Sequence, residues 1–170
     1  ADALVALLRA AGISAAVGLP DAETQSLILL QGLGGGDPAA LDLAAFQAAR
    51  DFARLPGGGH FITVQDTGGC FGMEPQGADR AWRAGLSALA RTAAQEWPDR
   101  QVKAIDIEVA GRGPAELAAA IAAELLAGGP EREVALSADG RRRVPASRPV
   151  PFAPLSRPAL PDGAVIVVSG

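Results

Sequence analysis

Three acidic residues are the first candidates for chemistry in this sequence. Asp66 follows an apolar run that reads as a β-strand, and Asp106 and Glu108 lie at the end of a second such run. In open α/β sheets, sites form at the carboxyl ends of the strands. The spacing therefore permits a freestanding enzyme that uses these carboxylates on a small metabolite. The alternative is that they cap helices or turns, or face solvent.

The single histidine and the single cysteine suggest a nucleophile and its base. His60 opens a predicted strand and Cys70 follows it, and seven strand residues span roughly 20 Å. A nucleophile and its base must approach to about 3 Å, so the pattern excludes this dyad. We interpret Cys70 as a small residue in a tight loop and His60 as a polar residue at a strand start. One cysteine also excludes an internal disulfide, and a zinc site of Cys and His would lack ligands.

The sequence lacks the residues that nicotinamide-dependent reduction of a ketone requires. Short-chain reductases use a Tyr with a Lys four residues later, but this chain has no Tyr, and Lys103, its only Lys, opens a predicted strand where we expect it to be exposed. The dinucleotide fingerprint needs G-x-G-x-x-G between a strand and a helix. The run from Gly32 to Gly36 has that context, but the sixth position is Asp37, whose carboxylate would repel phosphate. We therefore expect no nucleotide site within residues 1–163.

A basic run, Arg141 to Arg143, stands out in a chain of net charge −4. The acidic balance argues against a nucleic-acid partner. The run could bind a phosphate or an acidic partner, and Arg141, Arg143 and Arg148 would then dock an acidic carrier protein. Strand alternation places Arg142 on the opposite face from its two neighbours. The alternative is a solvated edge strand that is protected by charge.

The elements that must position these residues alternate between strand and helix through residues 1–130. Apolar spacing and end signals predict helices over 4–11, 38–55, 78–97 and 114–127, and strands over 26–30, 60–66 and 102–107, with a possible strand at 13–17. In the longest helix, we expect the stripe from Trp82 to Trp97 to face the core. This alternation predicts an α/β fold with a parallel sheet between layers of helices.

The pattern changes after residue 130. Residues 133–144 predict a β-hairpin around Asp139-Gly140. Six prolines in 145–161 predict an extended connector that packs on the body, with Phe152 as its anchor. Residues 164–168 predict an apolar strand that must pair with the sheet or with a partner. We therefore divide the chain into a body (1–146), a connector (147–163) and the start of a further unit (164–170).

The remaining expectations concern location and completeness. The chain has no basic segment ahead of an apolar one at its start, so we expect no signal peptide. No apolar run reaches the length of a membrane span, and we expect a cytoplasmic protein without a membrane partner. The first residue is not Met, and we interpret the chain as a piece of a longer polypeptide.

Five segments, taken together, resemble a known family. Their order and spacing are similar to those of the ketoreductase regions of type I polyketide and polyunsaturated-fatty-acid synthases. The segments are FITV followed by GCFG (61–72), GLSALARTAAQEWP (85–98), VKAIDIE (102–108), EVALSADGRRRVP (133–145) and AVIVVSG (164–170).

The resemblance implies a non-catalytic half of such a ketoreductase. In that family the first half is a truncated Rossmann-like fold with a structural role, and the second half binds NADPH and carries the catalytic Ser, Tyr and Lys. The resemblance places Ser169 and Gly170 at the start of a truncated phosphate loop and assigns no catalytic, complete cofactor-binding or metal residue to this chain. The implied partners are the reductase half of the same polypeptide and other synthase domains, including the acyl carrier protein.

Overall fold

A computed structural model of the protein describes residues 1–151 and 163–168, with only the backbone described at residues 76–79. Within the described residues, four α-helices alternate with four strands, and a fifth strand follows the fourth directly. A 3₁₀ helix, Pro75–Ala84, precedes the third α-helix. The elements are α1 (Asp2–Ala10), β1 (Leu27–Gly32), α2 (Pro38–Ala53), β2 (His60–Gln65), α3 (Gly85–Glu96), β3 (Gln101–Ile107), α4 (Pro114–Ala127), β4 (Glu133–Leu136) and β5 (Arg142–Arg143).

The strands form one sheet in the order β1-β2-β3-β4-β5. The first four are parallel, and β5 returns antiparallel to β4. Helices flank the sheet, so the predicted α/β class and the C-terminal hairpin are confirmed. The architecture is consistent with a truncated Rossmann-like fold.

Two apolar clusters cover the two faces of the sheet. On one face, α2 and α3 pack over a cluster that includes Phe52, Phe61 and Leu86. On the other, α1 and α4 pack over a cluster that includes Ile62 and Ile105. Neighbouring residues of β2 thus serve opposite faces, as the two-residue period of a strand requires. Burial on both faces explains the apolar composition of the parallel strands.

Capping residues determine where two of the helices begin. The Asp37 carboxylate accepts a hydrogen bond from the Ala40 amide at 3.1 Å, and Pro38 occupies the first turn of α2. At the start of α4, the Gly113 amide donates to the Glu116 carboxylate at 2.9 Å. Each carboxylate satisfies an amide that the helix itself leaves unpaired. These caps confirm the starts predicted from sequence.

Two predicted elements are wrong. Residues 13–17 form no strand, and Ile13 and Val17 are exposed, because this alanine-rich stretch has few large side chains to bury. The helix predicted over 78–97 is instead the 3₁₀ helix followed by α3. The Ser87 amide in the first turn of α3 donates to the Gln65 side chain at 2.8 Å, which fixes where the α-helix begins. Trp82 therefore lies outside the core and is 37% exposed.

The C-terminal predictions have mixed outcomes. Residues 164–168 form no strand with the sheet, and Val165 is 93% exposed, so the first of the two expected pairings is not seen. Pairing with a partner stays a prediction. The anchor Phe152 and the phosphate-loop residues Ser169 and Gly170 lie outside the described residues. Among the described residues, no helix has the length and apolarity needed to cross a bilayer.

Candidate functional site at the carboxyl edge of the sheet

Asp106, near the end of β3, is completely buried and organises the carboxyl edge of the sheet. Its Oδ1 accepts a hydrogen bond from the Thr67 amide at 2.6 Å, and its Oδ2 accepts from the Cys70 and Phe71 amides, both at 2.7 Å. We call residues 67–72 the glycine loop. Three backbone donors on one carboxylate hold this loop against the end of β3, so Asp106 acts as the anchor of the loop.

The backbone of the glycine loop is shaped for this contact. Gly69 has φ +62°, and a Cβ atom there would lie 2.8 Å from the Leu136 carbonyl oxygen, so only glycine fits without movement. Phe71 has φ +53°, which is uncommon for a residue with a side chain. The Cys70 thiol is buried and donates to the Thr67 carbonyl at 3.5 Å. The loop amides therefore bind a carboxylate of the chain itself, where a phosphate-binding loop would present them to a ligand.

Asp66 is the second buried acid at this edge, with 3% exposure. Arg80 donates to both of its oxygens at 2.7 Å, and Arg83 lies 3.6 Å from Oδ2. The Gly68 amide donates to Oδ1 at 3.0 Å. Asp66 thus joins the glycine loop to the 3₁₀ helix that follows it. Asp66 was predictable from the sequence, but the two arginines were not, because sequence spacing does not show that the 3₁₀ helix folds back over the end of β2.

Glu108 completes the set of predicted acids. Its Oε2 accepts from the Ala138 amide at 2.8 Å, which ties the end of β3 to the hairpin turn. Its backbone carbonyl accepts from the Arg112 side chain at 2.9 Å. The structure therefore brings all three acids to one edge, and each has its own partners. In the described part of the chain, no group of three or more His, Cys, Asp and Glu side chains is placed to hold a metal ion.

Gln65 is a functional position that the sequence analysis missed. It is fully buried at the end of β2, and its Oε1 receives the Ser87 amide. Its Nε2 lies 3.4 Å from the Thr67 hydroxyl. The available signal was an amide side chain at the end of a strand predicted to be buried, since a buried amide needs a specific partner. Gln65 links the glycine loop to the start of α3.

A cavity with a volume of about 1420 Å³ lies at the opposite, amino edge of the sheet. His60 lines it, and its Nδ1 is 3.3 Å from the Ser26 hydroxyl. Cys70 lies at the other end of β2, so the two members of the excluded dyad are separated as predicted. Lys103 also lines this cavity, but the prediction of an exposed lysine is wrong. Its side chain is 15% exposed, because α4 brings Glu124 to within 2.6 Å of Nζ.

Glu124 is a buried carboxylate on α4, with a side chain 2% exposed. Burial opposes its ionisation, but hydrogen bonds from Arg142 and Lys103 outweigh that effect and hold its pKa below the ordinary value of 4.5. Arg142 also pairs with Glu131 at 2.8 Å, and these contacts raise the pKa of Arg142. The basic run is thus divided as predicted, with Arg142 turned toward α4.

The neighbours of Arg142 pair elsewhere. Arg143 donates to Glu74 at 2.6 Å, and Arg141 donates to Asp139, also at 2.6 Å. The latter hydrogen bond lowers the pKa of Asp139 and raises that of Arg141. Arg148 is exposed. Two of the three arginines considered for docking a carrier protein are therefore already paired with acids of this chain.

The arrangement at the carboxyl edge indicates that its carboxylates have a structural role rather than a catalytic one. Asp66 and Asp106 are buried and accept from amides and guanidinium groups of the same chain, whereas a general acid or base must reach its substrate. Comparisons with protein-family models, with curated proteins and with solved structures found no match to this chain.

Proposed function

We propose that this chain is the structural, non-catalytic subdomain of the ketoreductase of a type I polyketide or polyunsaturated-fatty-acid synthase. One observation carries the proposal. At the edge where an α/β enzyme would bind its ligand, the Asp106 carboxylate binds three amides of the glycine loop. The loop that would contact a cofactor is instead held by hydrogen bonds against the end of β3. The role of the chain is then to support a reductase half and hold it within the larger polypeptide.

The segments that carry the resemblance contact one another in the structure. The glycine loop belongs to the segment 61–72, and its anchor Asp106 belongs to the segment 102–108. Glu108 of that second segment accepts from Ala138 of the segment 133–145. Sequence features shared with the family therefore coincide with packing contacts between neighbouring strands. This is the pattern that a supporting subdomain requires, and it gives the motifs a structural reason.

The proposal includes the partners and the cofactor that the resemblance implies. NADPH, with the Tyr and Lys that accompany it, belongs to a reductase half of the same polypeptide. The acyl carrier protein and other synthase domains are further partners in the cytoplasm. No residue within 1–163 is proposed to bind a cofactor, and no Tyr is available in this chain to protonate a reduced ketone.

Calorimetric titration of this chain with NADPH tests the proposal. We expect no binding heat at micromolar cofactor, and a dissociation constant in that range would overturn the assignment. The control is the polypeptide with its reductase half, which is expected to bind NADPH. Sequencing the gene beyond the Gly170 codon tests the same proposal: it should encode a glycine-rich phosphate loop, then a Tyr with a Lys four residues later. Absence of both would also overturn it.

The two alternatives have less support. A freestanding enzyme would need Asp66, Asp106 or Glu108 to reach a substrate. Asp66 and Asp106 are buried, and the half-buried Glu108 accepts a hydrogen bond from the Ala138 amide, so all three have partners from this chain. A module that docks an acidic carrier protein would need Arg141 and Arg143 to leave Asp139 and Glu74. If the chain were a freestanding enzyme, it should turn over a small metabolite, and the variant Asp66→Asn should lose that activity. The docking module predicts salt-sensitive binding of an acidic carrier protein that is lost in Arg148→Gln.

A further inference from the structure

The cavity at the amino edge of the sheet has the size of a ligand site. Its volume of about 1420 Å³ exceeds the roughly 300–1,000 Å³ of ordinary ligand pockets. The segments that lead into β1, β2, β3 and β4 line it, together with side chains of α1 and α4. The cavity therefore has room for a ligand with a long chain.

One wall of the cavity is apolar. Ile28 and Ile62 lie side by side in the register of β1 and β2, on the face that α1 and α4 cover. Leu8 of α1 and Leu125 of α4 complete this wall. Ile28 and Leu125 are only partly buried, so the wall presents apolar surface to the cavity. Such a surface favours an alkyl chain over water.

The charged groups of the cavity are mainly basic. His60, Arg100, Lys103 and Arg132 line it, against one acid, Glu23, among the described lining residues. The chain as a whole has a net charge of −4, so this concentration of basic groups runs against its composition. A cleft lined mainly by one sign of charge attracts ligands of the opposite sign.

Two of these cations already have structural partners. Arg100 donates to the Phe52 and Leu55 carbonyls at the end of α2, at 3.2 and 2.9 Å. Lys103 pairs with Glu124. Both cations thus hold the ends of helices against the sheet, and their charge is used within the chain.

Arg132 is different, because its exposed guanidinium has no hydrogen-bond or ion-pair partner among the described residues. An exposed arginine is ordinary by itself, but the position of this one is specific. Ala104 pairs in register with Glu133, so the preceding residues, Lys103 and Arg132, are neighbours too. Lys103 is in turn the register partner of Ile62. Arg132 therefore lies two strand spacings, roughly 10 Å, from the apolar wall.

We infer that this cavity binds an amphipathic carboxylate, with its alkyl chain on the apolar wall and its carboxylate on Arg132. A guanidinium holds a carboxylate through two parallel hydrogen bonds. One unpartnered guanidinium matches one negative charge, whereas a phosphate dianion calls for a second cation that the chain does not already use. The inference goes beyond the proposed function and does not depend on it.

Fluorescence titration with dodecanoate tests the inference. The chain has two tryptophans, and Trp97 lines the cavity whereas Trp82 does not. In a Trp82→Phe background, dodecanoate below its micelle concentration should change the Trp97 emission saturably, with a dissociation constant in the micromolar range. Dodecan-1-ol has the same chain without the charge and should bind about tenfold more weakly. Acetate has the charge without the chain and should cause no change at the same concentrations.

Two matched pairs of variants locate the ligand. Arg132→Gln should weaken dodecanoate about tenfold and leave dodecan-1-ol unchanged, because it removes only the charged contact. Arg148→Gln is its control, since Arg148 is also exposed and lies outside the cavity. Leu126→Gln, at a 51% exposed position that lines the cavity, should weaken both ligands. Leu43→Gln, at a 57% exposed position on α2, should weaken neither.

The exposure of all four positions keeps these variants close to the natural stability, which thermal unfolding checks. Absence of a saturable change with dodecanoate, or a change only above its micelle concentration, overturns the inference. Equal affinities for dodecanoate and dodecan-1-ol, or equal losses in Arg132→Gln and Arg148→Gln, overturn the role of Arg132 and the anionic class of the ligand. The NADPH titration tests the proposed function alone, so the two proposals can fail separately.

Discussion

Two buried carboxylates stabilise two regions of this molecule by different means. Asp106 at the carboxyl edge binds three backbone amides, whose positions are fixed by the chain. Glu124 on α4 binds the side chains of Lys103 and Arg142, which are 15% and 34% exposed. Long cationic side chains can turn toward water when their partner is lost, whereas buried amides cannot. We therefore expect the loss of a carboxylate to be tolerated less well at the carboxyl edge than on α4.

Removing the Asp106 carboxylate should have the largest effect. Asp106→Ala leaves the amides of Thr67, Cys70 and Phe71 without an acceptor. Since each buried unsatisfied group costs about 1–3 kcal/mol, we expect the free energy of unfolding to fall by about 3–5 kcal/mol in urea denaturation followed by tryptophan fluorescence. Asp106→Asn keeps one acceptor oxygen and should lose less. A loss below about 1 kcal/mol for Asp106→Ala would contradict the role of Asp106 as the anchor of the loop.

Removing the Glu124 carboxylate should cost less. Glu124→Ala leaves Lys103 with the Gly129 carbonyl, 2.9 Å from Nζ, and leaves Arg142 with Glu131. Breaking a fully buried pair costs about 3–5 kcal/mol, and partial exposure of both cations reduces this to about 2 kcal/mol. Thermal or urea unfolding of the Asp106 and Glu124 variants side by side would measure the difference. If Glu124→Ala were the more destabilised of the two, the contrast between the regions would be wrong.

The sequence was sufficient where local signals decide structure. The span of α4 follows from Pro114 at its start and Gly128 after its end, and the structure has the same bounds. The start of α2 follows from Asp37 and Pro38 in the same way. The parallel sheet follows from alternating elements with short connections, because few topologies join them. These features depend on neighbours within one or two turns of the chain.

The sequence was insufficient where distant residues decide the outcome. Asp106 was recognised as a strand-end acid, but its donors lie 35 to 39 residues earlier, and nothing in its own neighbourhood identifies them. The helix start at Gly85 depends on Gln65, which is far away along the chain. The Lys103 side chain is only 15% exposed because Glu124, 21 residues later, faces it. The errors at the start of α3 and at Lys103 arose from tertiary contacts that the local sequence pattern does not show.

The stabilisation that Glu124 supplies should depend on pH. The folded-state pKa of Glu124 lies below its ordinary value of 4.5. Its stabilisation is therefore fully present above that value and is lost as the pH falls from there through the lower folded-state pKa. The difference in unfolding free energy between the natural chain and Glu124→Gln should be constant between about pH 5 and pH 8 and should shrink below about pH 4.5. A difference that grew toward low pH would contradict this sign.

The smallest effect is expected at the exposed end of the basic run. Arg141 pairs with Asp139, but the two side chains are 65% and 49% exposed, so water and salt screen the pair. Arg141→Gln should leave the urea midpoint unchanged. Arg142→Gln, the adjacent residue on the opposite face, should lower it, because Glu124 then loses one of its two cations while it remains buried. Equal midpoints for the two variants would show that Arg142 does not stabilise Glu124. The packing of α4 would then depend on Lys103 and apolar contacts alone.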